Sequence, residues 1–178
     1  MVKEREQVKP DMQQMMKVYK ELGTPGAPHM LLARMAGKWN ASVKTWMEPG
    51  QPPRENKGVS EQKMILGGRF LQDDENMDMM GAEYKGMGVT GYDNFTKKYT
   101  SFWFDSMNTR MMYFEGPAGA DGKSFTMESS FNDPVRGSMK NRSVTKILDS
   151  NTYTFEMYST DKSGKEEKMM EITYTRLK

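Results

Sequence analysis

Four residues of one short segment, Tyr99, Ser101, Trp103 and Asp105, share a parity and so project to one side of any strand that carries them. Thr100, Phe102 and Phe104 project to the other side. The first face mixes a large π-surface with hydroxyls and one carboxylate, the combination a small-molecule pocket needs. A dry core would have to leave that carboxylate unpaired, which is costly. We therefore expect Trp103 and Asp105 to face inward as ligand-binding residues together with Tyr99, and we expect Arg142, on the face of Val144 and Leu148, or Arg110 to pair with Asp105. Met127, Met170 and Tyr174 complete the candidate wall, the thioethers because they adapt to more than one ligand shape. The bland alternative is that Asp105 caps a turn before Ser106 and Trp103 is ordinary core. Glu156 and Tyr158 oppose Tyr153, Phe155 and Met157, and are the outward set if the aromatics point in.

Other chemistries find little support. The chain has no Cys and a single His, His29, which excludes disulfides, thiolate sites and a His-based zinc cluster. It has 20 Met among 178 residues, several in pairs such as Met79-Met80, Met111-Met112 and Met169-Met170. Adjacent residues of a strand face opposite sides, so a pair cannot grip one Cu(I) ion from one face, and no metal site is expected. A haem axial ligand from His29 or a Met has no supporting pattern, and no cofactor is expected. Gly86-x-Gly88 precedes no helix and reads as a strand feature rather than a phosphate cradle. No Ser-His-Asp order can be built on His29, which reads best as a helix-start or packing residue. No catalytic residue is assigned.

The elements that must position these residues begin at Gly37-Lys38-Trp39. From there Trp39, Ala41, Val43, Thr45 and Met47 alternate with Asn40, Ser42 and Lys44, until Trp46 breaks the polar face. At the far end Lys168, Met170, Ile172, Tyr174 and Arg176 share one parity. An arginine on that apolar face can cover the Trp39 indole and latch the two ends of a closed barrel. Ahead of Gly37, apolar spacing predicts an amphipathic helix from Val8 to Leu22 and a short helix from Pro28 to Met35 that plugs one barrel end. The division is thus a helical extension over 1–36 and a barrel over 37–178.

Beyond Trp39 come alternating segments at Gly58–Leu66, Phe70–Met77, Glu83–Tyr92, Tyr99–Phe104, Arg110–Glu115, Lys123–Phe131, Met139–Leu148, Thr152–Ser159 and Glu166–Arg176. Turn formers separate them, among them Gly67-Gly68, Asp93-Asn94, Asp133-Pro134 and Ser163-Gly164. Sequential hairpins predict a mainly β fold, an antiparallel up-and-down barrel of about ten strands, with a sandwich as runner-up. Net charge is +2 and mixed along the chain, which argues against nucleic acid. No apolar run approaches the roughly 20 residues of a membrane span. Met1–Pro10 is charged rather than an apolar leader, so the expected location is cytoplasmic. Self-association is left open.

Resemblance adds to this pattern. Gly37-Lys38-Trp39, Met64 to Leu71 (MILGGRFL), Gly88 to Asp93 (GVTGYD), Trp103 to Met107 (WFDSM), Asp133-Pro134 and Glu171 to Arg176 (EITYTR) together resemble an uncharacterised bacterial domain-of-unknown-function family. The likeness runs from His29 to Leu177. Its members resemble the calycin superfamily of lipocalins and fatty-acid-binding proteins, which implies a calycin-like barrel with a small-molecule cavity and no established activity. The expected function is binding or carriage of a small apolar or amphipathic molecule. The alternatives are an enzyme of modest acid/base chemistry using a pocket carboxylate, and a scaffold with a filled barrel.

Overall fold

The structure is a computed structural model that describes residues 11–48, 50–79 and 81–178. Two helices, α1 (Met12–Leu22) and α2 (Ala27–Ala33), precede ten strands. These are β1 (Gly37–Thr45), β2 (Arg54–Ile65), β3 (Phe70–Met79), β4 (Ala82–Asp93), β5 (Lys98–Asp105), β6 (Met112–Gly116), β7 (Ser124–Asp133), β8 (Gly137–Ile147), β9 (Thr152–Thr160) and β10 (Glu166–Arg176). Each strand pairs antiparallel with the next, and β1 pairs with β10, so the sheet is a closed up-and-down barrel. That is the architecture the alternation predicts. β2 starts earlier than Gly58, because the chain re-enters the ladder directly after Pro52-Pro53.

Asp11 caps α1, its Oδ1 accepting from Gln13 N at 3.1 Å. Val8, expected to open this helix, lies outside the described residues. α1 buries none of its residues, whereas α2 turns Leu31 and Leu32 into the barrel end as a plug. His29 does what a helix start requires: its Nδ1 accepts from Gly26 N at 3.0 Å. Burial holds its imidazole below the usual range, in keeping with a neutral acceptor.

Closure is concentrated at one pair. Trp39 stands directly opposite Arg176 in the β1–β10 register. The Arg176 guanidinium carbon lies 4.0 Å from the Trp39 ring centroid. Its N–H groups donate to Ala36 O at 2.9 Å, Arg34 O at 2.8 Å and Ser150 O at 2.9 Å. The Trp39 indole N–H donates to Met35 O at 2.8 Å. Only glycine fits beneath this arrangement, since a Cβ on Gly37 would meet Arg176 Nη1 at 2.2 Å and its φ is +141°.

Parity fails at two places. The β9–β10 register slips between Lys168 and Met170, so that Lys168 opposes Tyr158 while Met170 opposes Met157. The extra residue, Met169, throws Lys168 onto the outer face, away from Met170, Ile172 and Tyr174. There its Nζ donates to Glu156 Oε1 at 2.5 Å and Glu171 Oε2 at 2.9 Å. Met47 lies past the end of β1 and is exposed, because the strand stops at Thr45.

Arg176→Ala is expected to lower the unfolding free energy by on the order of 2 kcal/mol, as it removes charge-assisted bonds to carbonyls and the indole's cover. Urea denaturation measures this. An unchanged midpoint would show that the latch contributes nothing.

Candidate functional site

The lumen holds a cavity of about 310 Å³. Leu32 and Met35 floor it at the plugged end. The strands supply most of its walls, among them Met77, Met79, Met112, Met127, Met157 and Met170, and Met107 joins them from the β5–β6 turn. Trp103 and Asp105 both line it, on the inward face of β5 together with Ser101. The glycines of β4 explain how the indole fits. A Cβ on Gly86 would lie 2.3 Å from Trp103 Cζ2, and one on Gly88 would lie 2.9 Å from Cε3. Gly86-x-Gly88 is therefore the bed on which Trp103 lies across the strand pair.

Asp105 is held by its own turn. Its Oδ1 accepts from Met107 N at 2.9 Å and Asn108 Nδ2 at 3.4 Å, and its Oδ2 accepts from Trp103 Nε1 at 3.3 Å. It is thus both a cap of the β5–β6 turn and a cavity residue. The arginine partners expected for it are elsewhere. Arg142 faces outward from β8, forked onto Glu166 by two bonds of 2.8 Å and lying 4.2 Å from the Tyr158 ring centroid. The inward set of β8 is Ser143, Thr145 and Ile147, so the face that Arg142 shares with Val144 is the outer one. Arg110 lies 4.4 Å from the Phe131 ring centroid.

The remaining candidates divide by depth. Met127, Met170 and Tyr174 line the cavity. Tyr99 is fully buried below it, stacked on Phe125 at 4.3 Å, with its hydroxyl donating to Pro28 O at 3.1 Å. It ties the plug to the barrel floor. Glu156 and Tyr158 are outside and Tyr153, Phe155 and Met157 inside.

The most unusual polar group in the lumen is one that sequence reasoning missed. β3 turns Leu71, Asp73, Glu75, Met77 and Met79 inward, placing two acids two residues apart on the cavity wall. Ser60 Oγ donates to Asp73 Oδ1 at 2.6 Å, and the Tyr174 hydroxyl bonds Glu75 Oε1. Gln62 Nε2 donates to Ser60 Oγ at 3.0 Å and to Tyr153 Oη at 2.5 Å. Tyr153 and Tyr174 stack with centroids 4.2 Å apart, and Trp39 meets Tyr153 edge-on at 4.9 Å. Burial pushes both carboxyls well above the ordinary range, and the charge of Asp73 pushes Glu75 further. The alternation Leu71-x-x-x-x-x-Met77-x-Met79 carries the signal for this pair. It is obscured because Asp74 and Asp78 sit on the opposite parity.

Raised carboxyl pKa values fix a sign for stability. Below the ordinary carboxylate range both folded and unfolded chains hold these protons. As pH rises from about 4, the unfolded acids ionise while the folded pair resists, so stability is lost until pH passes the raised folded values. The double variant Asp73→Asn, Glu75→Gln keeps acceptors for Ser60 and Tyr174 and has no such penalty. Its melting temperature relative to the parent is expected to rise steadily between about pH 4 and neutrality. Thermal melts of both proteins across that range check it, and a pH-independent difference would contradict it.

Solved structures resemble this barrel at low identity. The S-type phycobiliprotein lyase CPES of Guillardia theta superposes with a TM-score of 0.58 at 11% identity, over 95% of this chain and 99% of that one. A DUF3598-family protein of unknown function from Nostoc punctiforme gives a TM-score of 0.51 at 11% identity, over 82% of this chain and 49% of that one. These likenesses are of fold alone. No curated protein matches the chain. The family described as "Protein of unknown function (DUF1579)" matches residues 24–176, from the linker before the plug to the latch arginine, and the chain belongs to that family.

Proposed function

We propose that this protein binds and carries a small apolar or amphipathic molecule in its barrel, in the manner of the calycin superfamily. The observation that carries the reading is the cavity itself. Interiors normally pack to crystal-like density, yet about 310 Å³ stays open here behind walls of methionine and aromatic side chains. Small residues help to keep it open: Ser101 and Ser143 point inward where larger side chains would fill the space. A few polar groups among apolar walls suit a ligand that must be both sheltered and oriented. The lyase likeness supports the barrel architecture and leaves the ligand open.

In this reading Trp103, Asp105, Met127, Met170 and Tyr174 are contact residues, and Tyr99 is the floor that supports them. A second reading, acid/base catalysis, is favoured by one observation, the buried Asp73 and Glu75 with their raised pKa values. It moves the candidate acid from Asp105 to that pair.

Uptake of the neutral fluorophore N-phenyl-1-naphthylamine, followed by its own emission and by Trp quenching, tests the carrier reading. Gly86→Ala drives a methyl group into the space of Trp103 and is expected to weaken uptake about tenfold, the scale on which a single methylene alters a pocket. Trp103→Phe is expected to abolish most of the quenching with the fold intact. Saturable binding left unaltered by both substitutions would place the site outside the lumen.

A further inference from the structure

We propose that the Asp73–Glu75 wall seats a protonated amine, so that the ligand is an amphiphile with a cationic N–H head and an apolar body lying among the methionines and Trp103. The proposal rests on the carrier reading and adds the head group to it.

The argument is an inventory of charges and donors. Among the described residues the cavity lining includes three carboxyl groups, Asp73, Glu75 and Asp105, and no Lys, Arg or His. Asp105, at the β5–β6 turn, is served by two amide donors and an indole N–H. Asp73 and Glu75 lie deeper, bonded to the neutral hydroxyls of Ser60 and Tyr174. Strand alternation keeps the nearby cations outside: Lys63 pairs with Asp74, and Lys85 with Glu83. A counter-charge for the ionised pair would therefore come through the lumen.

A second, independent observation asks for a donor. Gln62 is 3% exposed, and its amide N–H groups serve Ser60 and Tyr153, within the same cluster. Its Oε1 is buried with no hydrogen-bond partner among the described residues. Unpartnered buried acceptors are uncommon and costly. The cluster thus combines two cavity-lining carboxyls with an unused carbonyl oxygen on Gln62, which is not itself a lining residue, and once the carboxyls are ionised acceptors outnumber donors. An ammonium is the complement: three donors, no acceptor and one positive charge. A hydroxyl would bring one donor and no charge. A carboxylate would add a like charge to a buried acidic wall.

Protons are linked to this binding. An arriving ammonium favours the ionised carboxyls, so a proton held by the empty site is released on binding, and affinity for an amine rises with pH while the amine stays protonated. The titratable groups that face the pair from neighbouring strands are Tyr84 of β4, Asp105 of β5, Tyr153 of β9 and Tyr174 of β10. Burial keeps all three tyrosines above their ordinary range, so they stay neutral across it.

The test is a chain-matched competition against N-phenyl-1-naphthylamine with octylamine, 1-octanol and octanoate. Octylamine is expected to bind about tenfold or more tighter than octanol, the scale of one charge-assisted contact, with octanoate weakest. In Asp73→Asn, Glu75→Gln the amine preference is expected to vanish while octanol binding persists. Octanol or octanoate equalling octylamine in the parent protein would overturn the proposal even if the variant failed to fold, and so would an amine preference retained by the variant. In those cases the carrier reading survives. Failure of the naphthylamine and all three competitors to bind would sink both.

Discussion

The pairing of β1 with β10 is the constraint on which everything else rests. A ten-stranded sheet left open would expose two long edges and its apolar inner face, and closure removes both liabilities. The Trp39–Arg176 pair sits where that seam meets the plug. Arg34 and Ala36 offer carbonyls just past the end of α2, which the helix cannot satisfy internally. A guanidinium is suited to that position because the helix C-terminus is negatively polarised and the fork reaches two carbonyls together. One side chain therefore joins the last strand, the first strand and the plug. Gly37 is the geometric condition for that contact.

Closure also decides the chemistry of the lumen. Once the sheet is shut, every inward polar group must find its partner across the barrel or in a guest. Two of the pairs that result join non-adjacent strands, Gln62 of β2 with Tyr153 of β9 and Tyr174 of β10 with Glu75 of β3, while Ser60 and Asp73 pair across the β2–β3 hairpin. Outside, the ion pairs are local and exposed, such as Lys38 with Glu61 and Lys98 with Glu115, and contribute little each. The two populations have opposite dielectric surroundings. A lost hydroxyl inside strands a carboxyl, while a lost lysine outside is replaced by water.

How much could be read from the sequence follows from the same geometry. Alternation and turn residues are local, so the strand count, the inward set of β5 and the opposition of Trp39 and Arg176 were all legible. What was not legible depends on choices between two faces of equal appearance. On β8 the inward residues Ser143 and Thr145 are more polar than Val144 on the outer face, so the hydrophobic cue points the wrong way and Arg142 was misplaced. On β3 both parities carry acids, which hid the two that matter. The bulge at Met169 reverses the face of Lys168 and leaves no mark in composition.

Those failures share a cause. A dry core sorts apolar from polar residues cleanly, and parity can be read from hydrophobicity alone. In this barrel the inner face carries Asp73, Glu75, Ser101, Ser143 and Thr145 beside its methionines, so the sorting is blurred on the strands that wall the cavity. It remains sharp on β1, where Trp39, Ala41 and Val43 pack near the plug. The gradient along the lumen is thus a physical one. The plugged end is a tight aromatic floor of Trp39, Tyr99 and Phe125, while the carboxyl pair lies on the cavity wall above it. Adding methylenes to fill that space would stabilise the chain by roughly 0.8 kcal/mol for each one buried. A sequence that places Ser101 and Ser143 there instead, beside acids whose charge burial disfavours, gives up stability for an open, acidic lumen. In the carrier reading proposed above, that concession is what leaves room for a guest.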